Sequence, residues 1–209
     1  MKTKDRILAA ALKLYNEQGI EPITVRHIAK ELGMSHGNLC YHFPTTDHII
    51  HALYLNLVDE ISTAFEQLTN TELSLKRFSE ALLAVMQLFQ QYRFFLIDFV
   101  AICRRVSVIK QHYLALIKQR EETELHFLRL LQQNGIIQDD IPDSQLLFLV
   151  QRVAILADFW LSNAEILSEP NETKKLSRYH QLIFSDIWPY LSKEGRADYD
   201  TLFPTSEIS

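Results

Sequence analysis

Turn-forming residues are scarce in this 209-residue chain: five Gly and six Pro make up about 5% of it, where ordinary usage of the two is roughly 12%. Sandwiches, barrels and propellers need such residues every 8 to 12 positions or so, and their scarcity excludes those folds. An all-α protein is expected. Cysteine is equally sparse. Cys40 and Cys103 stand 63 residues apart without CxxC or Cys/His spacing, so neither a disulfide framework nor a zinc site is suggested and a cytoplasmic setting is expected. Long apolar runs are missing too. Phe94–Cys103 is interrupted by Asp98, and Leu146–Leu161 by Gln151, Arg152 and Asp158, short of the ~18 clean residues of a spanning helix. The first apolar run, from Ile7, is broken by Lys13 and reads as a helix rather than a signal peptide. No membrane partner is expected.

What is present is uneven. The net charge is −5, yet residues 1–45 hold six Lys/Arg against four acids, a net of +2, and residues 46–209 hold 15 against 22, a net of −7. Five of the eight histidines fall between positions 27 and 51. A small basic unit on a larger acidic body is the pattern to explain.

Helical spacing and end signals divide the chain. Thr3 is a candidate N-cap for a helix over about 4–18, with Ile7, Ala11, Leu14 and Tyr15 on one face and Gly19 as its stop. Thr24 caps a short helix ending before Gly33, and Ser35 caps another that Pro44 terminates. Thr45 and Asp47 open a fourth helix reaching about Leu68. Further helices are expected at about 72–91, 94–105, 107–134, 143–168 and 173–192, separated at Thr69–Thr71, Tyr92–Arg93, Gly135 with Asp139–Pro142, and Glu169–Asn171, with a frayed tail from Lys193. No internal repeat appears.

The segment Thr24–Phe43 has helix-turn-helix anatomy. Ala29, four residues before Gly33, permits a close helix crossing, and Leu32, Met34 and Leu39 supply buried contacts. The other face of helix 3, with Ser35, His36, Asn38, Tyr41 and His42, is rich in hydrogen-bonding groups and free of acids, which suits phosphates and base edges.

The stretch from Thr3 to Leu57 resembles the tetracycline-repressor (TetR-like) family of bacterial transcription regulators. The resemblance is carried by Arg6–Ala11, Glu17-Gln18-Gly19, Thr24–Ala29, Leu32–Leu39 and Tyr41-His42-Phe43-Pro44. It implies a DNA-binding domain at 1–45 and a helical effector-binding and dimerisation domain at 46–209. It further implies that Thr24, Arg26 and His27 meet DNA from helix 2, Arg26 as a bidentate partner of guanine. Ser35, His36, Gly37, Asn38, Tyr41 and His42 would form the recognition surface, with Thr46 at the start of helix 4 beside the backbone. Two positions depart from the family pattern. Cys40 stands where Tyr is usual and Thr46 where Lys is usual, so two phosphate contacts are lost and a shallower salt dependence is expected.

In the body, charges inside apolar stretches need partners. Asp98, Arg152 and Asp158 pair with each other, face a dimer seam, or line a ligand cavity. Phe95, Phe99, His112, His126 and Trp160 are candidate neighbours in such a cavity. The helices at 143–168 and 173–192 correspond in position to the family's dimer pair, with Leu146, Leu149, Val150, Val153, Ala157, Trp160 and Leu161 on one and Leu182, Ile183, Ile187 and Leu191 on the other as apolar stripes. The expected partners are double-stranded DNA bearing a palindromic operator, a small-molecule effector, and a second copy of the chain. A ligand-responsive repressor is the reading; the alternative is a helical protein- or small-molecule-binding bundle with weakened DNA binding.

An enzyme is not expected, since paired ExxH motifs, HExxH, P-loop, GxGxxG and GxSxG are all missing. Neither a cofactor nor a metal is expected, although His48 and His51 have chelating spacing. Cys40 on the recognition helix reads as a small residue in a Tyr position, with a redox role as the sharper alternative.

Overall fold

A computed structural model describes residues 2–69, 73–167 and 171–204. Eleven α-helices occur among them: α1 (Thr3–Gln18), α2 (Val25–Glu31), α3 (His36–His42), α4 (Thr46–Thr69), α5 (Leu75–Gln91), α6 (Arg93–Ile97), α7 (Phe99–Arg105), α8 (Ser107–Gln133), α9 (Asp143–Ile166), α10 (Glu172–Phe184) and α11 (Lys193–Leu202), with a 3₁₀ turn at Ser185–Tyr190 between the last two. The breaks expected around Asn70–Thr71 and Glu169–Pro170 lie outside the described residues. The chain packs as two compact units, residues 1–61 with 88–113, and 62–87 with 114–209. These packing units are drawn differently from a functional division at residue 45, because residues 88–113 pack with the N-terminal helices.

Local chemistry explains the first unit. Thr24 accepts from the His27 amide at 3.4 Å, and Ser35 from the Asn38 amide at 3.2 Å, so both short helices begin with a satisfied N-cap. At α1 the N-cap is Lys2 rather than Thr3, and its amide donates to the Asp5 carboxylate at 3.1 Å. Gly33 sits at φ +63°, the left-handed turn that lets α3 double back beside α2. Ile7, Ala11, Ile28, Leu39 and Ile49 are fully or almost fully buried and form the core on which α1 to α4 close. Ser35→Ala is expected to cost about 1 kcal/mol of stability and Ser35→Gly only a few tenths, a contrast that urea unfolding resolves.

The expected helix at 94–105 is two helices that meet at Asp98, whose backbone (φ −96°, ψ 15°) ends α6 and begins α7. The tail expected to fray from Lys193 is instead α11, started by a Ser192 N-cap that accepts from the Gly195 amide at 3.0 Å, and it buries Tyr199. The second unit's core gathers Leu128, Leu131, Leu146, Leu149, Ile187 and Leu191 around the rings of Phe184 and Tyr199.

Apolar side chains cover α9 on both sides. By length and composition α9 is long and apolar enough to cross a membrane, although Arg152 and Asp158 interrupt it. Of the residues read as a dimer stripe, Leu146, Leu149, Val150, Trp160 and Leu161 on α9 and Ile183, Ile187 and Leu191 beyond it are buried within the chain. The exposed large apolar residues are Phe148, Ile155, Leu156, Phe159 and Ile166 on α9 and Leu182 on α10. Helical period alone does not distinguish a stripe that meets its own core from one that faces outward.

Candidate nucleic-acid interface

The α2–turn–α3 segment presents one polar surface. Thr24, Arg26, His27, Ser35, His36, Gly37, Asn38 and Tyr41 are exposed, and His42 is half-buried. Tyr41 is 84% exposed, far more than an aromatic ring with only an internal packing role would be. Leu39, on the opposite side of α3, is completely buried and anchors the helix. Among the described residues Arg26 has no carboxylate partner. Glu31, the acid that ends α2, is held by Lys13 at 3.2 Å. The surface is therefore rich in donors, free of competing acids and carried on a short, capped helix. It has the groups that hydrogen-bond phosphates and base edges.

Cys40 is half-buried, and its Sγ lies 3.4 Å from Nε2 of His36, one turn back on α3. Thr46 is half-buried and already engaged, since its hydroxyl accepts from the Arg105 guanidinium at 2.7 Å. The same guanidinium donates to Asp47 at 2.7 Å. A cation thus reaches the first turn of α4 from the end of α7, 59 residues away. His48, one of the histidine pair on α4, has its Nδ1 2.8 Å from the Thr45 hydroxyl.

Two further ties join the N-terminal helices to residues 88–113. The Asn16 amide donates to the Gln91 carbonyl at 2.8 Å and accepts from the Phe94 amide at 3.0 Å. Asp98 is half-buried with its carboxylate beside the Gly19–Ile20 backbone; burial raises its pKa, and a hydrogen bond from the Ile20 backbone opposes this. The end of α1 and the start of α4 are thereby fastened to α6 and α7 by Asn16, Asp98 and Arg105. Sequence reasoning nominated Asp98 for a different role and missed the other two, whose partners are distant in sequence.

The eight residues nominated for a ligand cavity divide between the units. In the first, Phe95 stacks on Tyr54 at 5.3 Å, Phe99 packs on Tyr113 at 4.8 Å, and His112 Nδ1 is 2.9 Å from the Tyr54 hydroxyl. In the second, His126 is exposed and Trp160 is buried against Tyr179. Arg152 pairs with Asp186 at 2.8 Å and with the Tyr190 hydroxyl at 2.9 Å, not with Asp98 or Asp158. Asp158 is buried on α9.

An apolar cleft in the second unit, about 350 Å³ counting the gaps at its mouth, is walled by Phe78, Leu82, Leu128, Val153 and Ile183 among others. It contains none of the eight. Its one ionisable wall residue is Glu124. Burial there pushes this carboxyl up to about 7; nearby Arg120 opposes the shift, while Asp158 and Glu121 add to it. Unfolded, the same group titrates near 4.5. The folded protein therefore binds an extra proton between these values, and stability falls as pH rises from about 4.5 to about 7. Glu124→Gln is expected to be more stable than the parent by about 1–3 kcal/mol at pH 8 and nearly equal to it at pH 4.5, as urea unfolding at the two pH values measures.

Comparison with known proteins accords with this geometry. Residues 7–53 match the family described as "Bacterial regulatory proteins, tetR family", and residues 56–199 match one described as "Bacterial transcriptional repressor". An HTH-type transcriptional regulator of Staphylococcus aureus is 34% identical over 67 residues, which are 32% of this chain and 36% of that protein. The match therefore spans about a third of that relative's length. A crystal structure of a TetR-family transcriptional regulator from Marinobacter aquaeolei superimposes with a TM-score of 0.87 at 25% identity, covering 97% of both chains. A fatty acid degradation regulator from Bacillus halodurans (TM-score 0.61, 14% identity, 88% of this chain and 95% of that one) and a complex of SmeT with triclosan (0.63, 17%, 91% and 92%) share the fold. With one profile covering the capped N-terminal helices, a second covering most of the remainder, and a full-length structural counterpart, the chain belongs to the TetR family of bacterial regulatory proteins.

Proposed function

We propose that this protein is a DNA-binding transcription regulator, a homodimeric and ligand-responsive repressor that reads a palindromic operator in the cytoplasm. The observation that carries the reading is the α3 face, where His36, Gly37, Asn38 and Tyr41 are exposed over a buried Leu39, beside an Arg26 that has no carboxylate partner among the described residues. In this arrangement α3 enters the major groove, and Arg26 contacts a base edge from α2. Cys40 and Thr46 supply no charge to the backbone, so the salt dependence of binding is shallow. A protein-interaction bundle without DNA binding gives no reason for an acid-free polar face with Tyr41 turned outward.

The exposed apolar residues of α9 and α10 are the seam of the proposed dimer. Two copies then carry two recognition helices, and a two-fold operator follows from the symmetry. Small-molecule control is supported by the apolar cleft of the second unit and by the SmeT neighbour, whose complex contains triclosan. Asn16, Asp98 and Arg105 are the ties through which residues 88–113 hold the DNA-reading helices. An effector acts only to the extent that it binds one conformation better than the other.

Arg26→Ala tests the reading. A base contact of this kind is worth about 1–3 kcal/mol, so operator affinity should fall roughly 5- to 150-fold with relaxed preference at one base position. Unchanged affinity and sequence preference in a gel-shift titration would sink it.

A further inference from the structure

A single acid in an apolar wall constrains what the cleft accepts. Its lining residues come from four segments of the second unit: Phe78 and Leu82 on α5, Glu124 and Leu128 on α8, Leu149, Val150 and Val153 on α9, and the end of α10 with the following turn. Apart from Glu124, no wall side chain carries a donor, an acceptor or a charge. Among the described residues the Glu124 carboxylate makes no hydrogen bond or ion pair. Arg120, one turn earlier on α8, influences it without reaching it, and Asp158 and Glu121 add negative potential. Glu121 itself is satisfied, accepting from the Gln151 amide at 2.9 Å.

We infer that this cleft binds an apolar molecule bearing one cationic amine, with Glu124 as the counter-ion. The inference rests on the ligand-responsive reading above and specifies the chemistry of its ligand. An isolated carboxylate in an apolar wall is costly when ionised. It escapes that cost by holding a proton, as its raised pKa reflects, or by pairing with a cation that enters with its own apolar body. A carboxylate guest would meet the negative potential of Glu124, Glu121 and Asp158, which Arg120 opposes, and is rejected by like-charge repulsion. A neutral guest gains the apolar contacts without the ion pair. As it stands the cleft is narrow, with room for about one water. The occupied form is therefore a wider one, in which side chains such as Phe78 and Leu82 turn aside, and this gives the guest a preferred conformation to select.

Isothermal titration calorimetry with a matched set tests the inference: 2-naphthylmethylamine, 2-naphthalenemethanol and 2-naphthoate share one ring system and differ in charge. At pH 8 the amine should bind the intact protein about tenfold or more tighter than the alcohol, and the naphthoate should give no detectable heat. Glu124→Gln should bring the amine down to the level of the alcohol while leaving alcohol binding intact, which also reports that the variant is folded. On passing from pH 8 to pH 6 the parent's affinity for the amine should drop several-fold as Glu124 takes up its proton. Naphthoate binding on a par with the amine, an amine preference that survives Glu124→Gln, or no amine binding at all would each overturn the inference. Operator binding is read in parallel. A protein that holds DNA but ignores the amine loses this inference alone, whereas one that binds no duplex loses the regulatory reading.

Discussion

If α9 forms the proposed seam, Ile155→Glu combined with Phe159→Glu is expected to convert the proposed dimer to a monomer and to weaken binding to a two-half-site operator by about a hundredfold or more. Both residues lie on one face of α9, four apart, with Phe148 seven positions before Ile155; Ile155 is 62% exposed and Phe159 43% exposed. Each apolar side chain withdrawn from water in a seam contributes about 1.5–3 kcal/mol, and a carboxylate put in its place would be buried without a partner. Because neither side chain belongs to the chain's own core, the monomer should remain folded. Arg152 stands on the same face, tied to Asp186 and Tyr190, and provides the polar element of an otherwise greasy surface. Light scattering after size exclusion measures the mass, and a gel shift measures the DNA. A double variant that stays dimeric would place the seam elsewhere.

Gly195→Ala should destabilise the fold by about 3 kcal/mol or more, at the upper end of what over-packing costs. A Cβ at this position would come within 2.2 Å of the Ile136 carbonyl oxygen. The obstacle is backbone, not a side chain that could rotate away. That carbonyl accepts from the Ser192 amide at 3.0 Å, and the Ser192 hydroxyl donates to the neighbouring Gly135 carbonyl at 2.6 Å. Gln138 adds bonds to the carbonyls of Pro189 and Leu191 at 3.0 Å each. The C-terminal helix is thus stitched to the turn after α8, and a methyl group at Gly195 must pry the two apart. Glu194→Ala, one residue earlier and exposed, should stay within about 0.5 kcal/mol of the parent. Equal urea midpoints for the two variants would show that α11 is not held in this way.

The DNA-reading head was the most legible part of the sequence because its signals are local. Thr24 and Ser35 precede their helices directly, Gly33 marks the turn, and the alternation of Ile28, Ala29 and Leu39 with exposed polar residues identifies the inner face within 20 positions. The body was less legible for equally physical reasons. α9 is apolar on both sides, so periodicity identifies a helix but does not separate Leu146, Leu149 and Leu161, which the chain buries for itself, from the exposed Phe148, Ile155 and Phe159. Asp98 looked like a buried charge in search of a partner; its place is a helix junction against the Ile20 backbone, which no pattern within residues 94–105 discloses. Arg105 meets Thr46 and Asp47 across 58 to 59 positions. Glu124 sits in the run Arg120-Glu121-Glu122-Thr123-Glu124, where nothing distinguishes the one glutamate that lines a cleft from two that do not. The tail from Lys193 has few apolar residues, and its helix is marked in the sequence by the Ser192 N-cap and by Tyr199 and Phe203 beyond it.

The central claim is that two copies of the α3 face read one symmetric DNA site. Selection of bound sequences from a random double-stranded library by the intact protein tests it most directly. The account predicts an enriched inverted repeat whose half-sites lie about one helical turn, roughly 10 base pairs, apart or a simple multiple of that, with Arg26→Ala relaxing one base position in each half. A library that shows no enrichment, or an enriched motif without two-fold symmetry, would contradict it.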